Sequence, residues 1–403
     1  MYRSLLWKAG MITMCFAASA SGANAPSPFP PEETDVIVCL GDSITDGCTY
    51  PQILIQALKE AGKPVPIIVC SGVASDTAPM MAARLDSSVL VYKPTIVTFS
   101  AGTNDSLHAL PPAAYDTALR EIYGKVKASG ATMILLTPCI ISSRMGVDEA
   151  TRKASKAAAQ AAEKLGAQYG QVIRKVAADE GYPVAENNAL MRKARDAGKR
   201  AMSDDGIHPN YFGQSLMARS ILDAMGCKDV PLSKEFKPQL FPGVIREWKM
   251  RQAPLDEKKR PILLTEETAA ALEPDNTWVT YELPNPVPAE KPTAEDWWEQ
   301  ERRNGFGRKV HETVGKGLVQ AICYIDAAEE RRAYINTAIG ISTVWFNGSK
   351  VHDQGGAWTG FHAGKERIPV QLKPGRNVLA VEINGSDFFL SVTDKLLWEE
   401  DLR

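Results

Sequence analysis

The chain has little net charge and few residues of the kind that hold metals. Across 403 residues the formal charge is −2, which argues against nucleic acid or an anionic membrane as the main partner. No basic run interleaved with aromatics occurs. There are five histidines and seven cysteines. Cys39, Cys48, Cys70, Cys139, Cys227 and Cys323 are scattered without metal-ligand spacing, and so are His311, His352 and His362. No metal site is indicated by this spacing. G-x-S-x-G is missing, so the nucleophile elbow of the α/β-hydrolases is excluded. No stretch is long and apolar enough to span a bilayer, and no internal repeat appears. What is present is ordinary for a globular protein: 44% apolar and 23% charged residues, in a length sufficient for two domains.

The first residues have the layout of a secretory signal. Arg3 and Lys8 precede an apolar stretch over residues 9–18, then the small residues SASGANA, with cleavage after Ala20 or Ala25. A lipoprotein site at Cys15 is disfavoured, because ITMC lacks the small residues it needs. Residues 1–25 are thus read as a signal peptide that exports the chain to the periplasm or the medium. Export permits disulfides, but the sequence assigns no pairs, and Cys39 and Cys70 within apolar runs read as buried thiols.

Residues 33–226 alternate strand-like apolar runs with helical patterns. The runs are DVIVCL, VPIIVC, TIVTFSA and ATMILLTP, with GYPVAE as a fainter fifth. Helices are expected over 50–61, 78–91, 112–128 and 147–180. Near-continuous apolar strands separated by helices indicate a parallel sheet covered on both faces, an α/β fold. Such sheets place ligands at the carboxyl ends of their strands. Residues 227–262 carry five prolines and a mixed-charge segment, and read as a linker that can pack along the first domain. From 263 to 403 short strands and turns predict an all-β sandwich. Asn347-Gly348 and Asn384-Gly385 carry the type I′ hairpin signal. Both also match glycosylation sequons, a reading the hairpins make unnecessary.

Four short stretches follow strand ends or lie in loops. Gly41-Asp42-Ser43 leaves the first strand, Ser71-Gly72 the second, and Gly102-Thr103-Asn104-Asp105 the third. Asp205-Gly206-Ile207-His208-Pro209 comes much later. Acyl transfer needs a nucleophile, a base, a group that orients the base, and donors for the oxyanion. Ser43 on a strand-to-helix turn can be the nucleophile, and His208 the base. Asp205 can bond the far imidazole nitrogen. The N–H groups of Ser43 and Gly72 and the Asn104 amide can form the oxyanion hole. Asp204 competes with Asp205, with the three-residue gap favouring Asp205. Asp42, Asp46, Asp76 and Asp105 read as caps that hold the Ser43 loop rather than as a metal cluster.

These blocks, in this order, resemble the GDSL or SGNH family of serine esterases: Ser43 in GDSIT, Gly72 in SGVASD, Asn104 in GTND and His208 in DGIHP. The resemblance covers about residues 35–225. It implies a flavodoxin-like three-layer α/β/α sandwich, Asp205 as the triad acid, and no metal or cofactor. The second block departs from the family pattern, with Cys70 in place of Asn and Ser75 in place of the second Gly. In the C-terminal part, VWFNGSKV and LKPGRNVLAVEI look like the galactose-binding-like jelly rolls attached to exported glycan-active enzymes. Trp345, Trp358 and Phe361 can stack on sugar rings or pack in the sandwich, and packing is the plainer role. The expectation is an exported serine esterase that removes short acyl groups, most simply O-acetyl, from a small-molecule or polysaccharide substrate. The alternatives are a lysophospholipase, thioesterase or short-chain lipase, or a catalytically inert glycan-binding protein. The sequence sets no oligomeric state.

Overall fold

The apolar runs of the N-terminal half pair side by side in one parallel sheet. The computed structural model describes residues 29–233, 235–237, 239–283, 305–355 and 362–403. Its first five strands are β1 (Val36–Gly41), β2 (Ile67–Gly72), β3 (Ile96–Ser100), β4 (Thr132–Leu136) and β5 (Val184–Ala185), in the order β2-β1-β3-β4-β5. Between and after them come α1 (Ser43–Asp46), α2 (Thr49–Glu60), α3 (Ala78–Ser88), α4 (Thr103–Leu107), α5 (Pro112–Ala128), α6 (Glu149–Glu180), α7 (Asn187–Asp196) and α8 (Tyr211–Ala224).

The side-chain period of two decides which helices cover which face. Ile37 and Cys39 of β1 pack with Leu54 and Leu58 of α2 and with Met217 and Ile221 of α8. Val38 and Leu40, one residue out of phase, pack with Met81 and Leu85 of α3, Leu119 and Ile122 of α5, and Ile173 and Val176 of α6. Each such buried aliphatic side chain contributes about 1.5–3 kcal/mol. The result is the three-layer α/β/α sandwich expected. The strand order reverses direction between β1 and β3, and in open α/β sheets the crevice at that reversal is where ligands bind. Ser43 follows β1 directly and Asn104 lies just after β3.

The C-terminal part is an antiparallel β-sandwich. A six-stranded sheet has the order β11-β10-β13-β8-β6-β7 and faces a three-stranded sheet of order β12-β9-β14. The strands are β6 (Glu247–Gln252), β7 (Val279–Glu282), β8 (Val319–Ala327), β9 (Arg331–Thr337), β10 (Ile341–Phe346), β11 (Ser349–Asp353), β12 (Glu366–Leu372), β13 (Gly375–Ile383) and β14 (Leu390–Thr393). Between the sheets lie Val344, Leu379 and Val381 from one and Ile335, Leu372 and Leu390 from the other.

Residues 227–262 pack along the N-terminal domain as a linker can, and they also supply a strand. Phe236 and Phe241 pack into the same apolar cluster as α2 and α8, while β6 pairs antiparallel with β7 and β8. The segment therefore contributes to both folded parts. The two Asn-Gly pairs also differ. Asn347 (φ 49°) and Gly348 (φ 82°) adopt the left-handed geometry of a type I′ turn between β10 and β11. Asn384-Gly385 instead connects β13 to β14, which lie in different sheets, so no hairpin forms there. The signal segment 1–25, Trp358 and Phe361 lie outside the described residues. Trp345 is buried beside Leu264, Leu272 and Trp278, under the chain segment that covers the outer face of the six-stranded sheet.

Candidate active site

Ser43 is presented by a turn that Asp42 closes. The Asp42 carboxylate accepts from the Ile44 N–H at 3.0 Å, as an N-cap does. The Asp42 carbonyl takes the N–H groups of Thr45 and Asp46 at 3.0 and 2.9 Å. Burial pushes the Asp42 carboxyl up to about 7, even though the Ile44 N–H and the His208 charge pull the other way. This carries a testable consequence. Between its ordinary value of 3.8 and about 7, Asp42 keeps its proton in the folded chain and loses it in the unfolded one. The folded state then binds more protons, so stability falls as pH rises through that window. Asp42→Asn keeps the capping oxygen but cannot titrate. Urea unfolding across the same window should show a flatter pH dependence for Asp42→Asn than for the wild type.

The expected base and its partner come from the loop before α8. The Ser43 Oγ lies 2.9 Å from the His208 Nε2, and the His208 Nδ1 lies 2.6 Å from the Asp205 Oδ2. Asp205 is held by its own turn: its Oδ1 accepts from the Ser203 hydroxyl at 2.8 Å and from the N–H groups of Ile207 and His208 at 2.8 and 3.0 Å. Burial works against its charge, but these bonds and the His208 ring together hold its carboxyl well below the usual range. Gly206 makes the turn possible. Its φ is +74°, and a Cβ there would sit 2.2 Å from the Ser142 carbonyl oxygen. Beyond the loop, the Asn210 side chain caps α8 by accepting from the Gly213 N–H at 2.9 Å.

The expected oxyanion donors sit on neighbouring strand ends. Gly41 of β1 is in register with Gly72 of β2 and Ser100 of β3. Gly72 lies hard against the Ser43 turn, since a Cβ on it would be 2.1 Å from the Asp46 nitrogen. Asn104 donates through Nδ2 to the Asp76 carbonyl at 3.0 Å, which ties it to the loop that follows Gly72. A primary amide has two N–H groups, so one of them remains for a substrate oxygen. Asp105 accepts from the N–H groups of Gly102 and Ala78, both at 2.9 Å, and so locks α4 to α3.

Asp204 and the other titratable side chains nearby stand apart from this chain of bonds. Asp204 pairs with Arg200 rather than with His208. His108 is exposed at the end of α4. Cys48 and Cys139 are buried, as are all six described cysteines. Burial raises the thiol of Cys139 far above its ordinary value, so it is no nucleophile. Among the described residues no group of three metal-ligating side chains assembles.

One residue of the site escapes sequence reasoning. Arg84 on α3 donates to the Asp76 carboxylate at 2.6 Å, to the carbonyls of Gly41 and Ser71 at 2.9 and 3.0 Å, and to the Ser71 hydroxyl at 2.9 Å. It ties the ends of β1 and β2 to the Asp76 loop. Nothing in AARLDSS marks it, because an arginine on a helix is ordinarily a solvated one.

Comparisons with known proteins reach the N-terminal part of the chain. Residues 39–216 match the GDSL-like Lipase/Acylhydrolase family. An arylesterase of Vibrio mimicus is 29% identical over 111 residues, which are 26% of this chain and 55% of that protein. The Escherichia coli K12 protein named thioesterase 1/protease 1/lysophospholipase L1 is 24% identical over 196 residues, 47% of this chain and 83% of its own length. An acetylxylan esterase of Geobacillus stearothermophilus is 23% identical over 217 residues, 47% of this chain and 93% of its own length. This chain thus spans about half of the arylesterase and most of the other two, and all three matches leave about half of it or more unmatched.

Proposed function

With residues 39–216 belonging to the GDSL-like lipase/acylhydrolase family, an esterase family, we propose that this chain is an exported serine esterase acting on short acyl esters of carbohydrates. The observation that carries the catalytic part is the unbroken chain from the Ser43 Oγ through the His208 ring to Asp205. In the first half-reaction the Ser43 oxygen attacks the ester carbonyl while the His208 Nε2 takes its proton. The negative oxygen that forms is met by the N–H groups of Ser43 and Gly72 and by the Asn104 amide. The His208 imidazolium, stabilised by the Asp205 carboxylate, protonates the leaving alcohol, and the acyl group stays on Ser43. Water then attacks the acyl-serine, His208 takes its proton, and the acid and free Ser43 are released. Donors fixed in place before reaction favour this charge without reorganising.

The carbohydrate part is supported by the likeness to an acetylxylan esterase over 217 residues, by the signal-like N-terminus, and by the attached β-sandwich, whose pattern resembles galactose-binding-like jelly rolls. The thioesterase and lysophospholipase reading has one point in its favour, the E. coli relative. Among the described residues no helix is long and apolar enough to cross a membrane. The test is acetate release from acetylated xylan and other acetylated polysaccharides, set beside cleavage of palmitoyl-thioesters and lysophospholipid by the same preparation. Acetate release that disappears in Ser43→Ala is the expected result. Hydrolysis confined to long-chain thioesters or lysophospholipid would overturn the carbohydrate reading. Absence of any Ser43-dependent hydrolysis would leave an inert glycan-binding protein.

A further inference from the structure

The C-terminal part reaches into the support of the nucleophile turn. His362 precedes β12 and belongs to the β-sandwich in sequence, yet its backbone N–H and its ring Nδ1 both lie 2.8 Å from a single oxygen of Asp46. A carboxylate oxygen accepts, so both nitrogens donate to it. The two side chains are 5% and 1% exposed. Asp46 is the last residue of α1, the turn that Ser43 begins. It is also the residue whose backbone nitrogen abuts Gly72. One carboxylate therefore stands behind two of the three proposed oxyanion donors, and a residue that donates to it twice comes from 316 residues away.

Further contacts keep His362 where it is. Lys365, three residues on, sets its charge against Asp46 and Asp76, and the Asp76 carbonyl holds Asn104. Arg367 on β12 and Glu399 form an ion pair with side chains 3% and 4% exposed. The Arg367 guanidinium lies 4.6 Å from the centre of the Tyr92 ring of the N-terminal domain. Phe389, Trp398 and Leu402 share one apolar cluster with Ile55 and Ile68, and Phe241 meets the rings of Phe389 and Trp398 edge-on at 5.6 and 5.2 Å. The two parts share a core, and the contact at Asp46 is one edge of it.

We propose that His362 is a positioning residue of the esterase: acting through Asp46, it holds the Ser43 turn against Gly72, so that the C-terminal domain is a working part of the catalytic unit and not an independent sugar-binding module. This rests on the serine esterase reading. Removing the His362 ring takes one of these two donors from the buried Asp46 carboxylate and leaves only the backbone N–H of this residue in place, which loosens the hold on the Ser43 turn. A misplaced oxyanion donor costs rate and not ground-state binding.

The test uses the full-length chain and its variants His362→Ala, His362→Asn and Phe241→Leu. Kinetics on p-nitrophenyl acetate are paired with amide hydrogen exchange of residues 41–48 and 72–76. His362→Ala should lower kcat by about 10- to 100-fold with little change in KM, and should speed exchange in both segments. His362→Asn places an amide N–H where Nδ1 was, and should recover most of that kcat. Phe241→Leu loosens the shared core at the rings of Phe389 and Trp398 and removes neither of the His362–Asp46 bonds. It should lower the melting temperature without lowering kcat. A kcat for His362→Ala equal to that of the wild type, with unchanged exchange, overturns the proposal. So does an equal loss in Phe241→Leu, which would make the effect one of domain docking in general, or failure of His362→Asn to recover. A wild type without Ser43-dependent hydrolysis overturns the esterase reading itself, and the positioning role falls with it, a result distinct from all the others.

Discussion

Ser43→Ala should lower kcat/KM for any ester substrate by about 10⁴-fold or more and leave the melting temperature where it is. The Ser43 side chain bonds to the His208 Nε2 at 2.9 Å, and alanine at the start of α1 leaves the Asp42 cap untouched. The companion variant, Asp205→Asn, is the sharper test, because it changes no shape. Its remaining oxygen can still accept from Ser203, Ile207 and His208, as the Asp205 Oδ1 now does. Its amide nitrogen then faces the His208 Nδ1, 2.6 Å from the Oδ2 it replaces, and donates where a carboxylate accepted. The imidazole must turn over its tautomer and carry its proton on Nε2. A nitrogen already protonated cannot take the Ser43 proton, and a loss of about 10⁴-fold is expected for this change too. Initial rates on p-nitrophenyl acetate, with circular dichroism as the control for folding, decide both. An active Asp205→Asn would mean that Asp205 serves only its own turn and that His208 is oriented by something else.

How much of this was legible beforehand varied with the length scale of the interaction. The parallel strands could be read because both their faces are buried, which leaves an unbroken apolar run such as VIVCL. The Asp205–His208 pair could be read because three residues of chain confine it to a single turn. Ser43 and His208 are separated by 165 residues, and only the ordered set of blocks joined them. Strand β6 was missed for a local reason. Glu-Trp-Lys-Met-Arg-Gln alternates, with Trp248 and Met250 buried, but its charged outer face and the prolines around it resemble a linker. Asn347-Gly348 and Asn384-Gly385 carry the same local signal and end differently. A turn signal makes a hairpin only where the flanking strands belong to one sheet, and that is decided by the whole sandwich. Arg84 left no trace, and His362 showed only as a histidine without metal-ligand spacing. Each matters through carbonyls and carboxylates that tertiary structure brings to it, and neither residue type is unusual where it stands.

Gly72→Ala is the second large effect to expect: a fall in kcat of about 100- to 1000-fold, caused by a single methyl group. Gly72 does not need a left-handed backbone, since it is absent from the residues with positive φ. Alanine is thus permitted there by conformation and is forbidden by space. Its Cβ would lie 2.1 Å from the Asp46 nitrogen, 2.5 Å from the Asp46 Cα and 2.6 Å from the Thr45 carbonyl carbon. All three are backbone atoms, so no flexible side chain can swing aside. Either the end of β2 or the α1 turn must move, and each carries a proposed oxyanion donor. The retreat of the turn is opposed by its bonds to His362 and by the Cys70 thiol of β2, which donates to the Thr45 carbonyl at 2.9 Å. Gly124 supplies the contrast. It lies inside α5, and a methyl group added there would meet nothing within 4 Å, so Gly124→Ala should leave kcat alone and stabilise the helix by about 0.5–1 kcal/mol. Paired measurements of kcat and thermal midpoint separate the two cases. If Gly72→Ala folds and turns over esters at the wild-type rate, the amide of Gly72 is not among the groups that meet the oxyanion, and the donors would have to be sought at Ser43 and Asn104 alone.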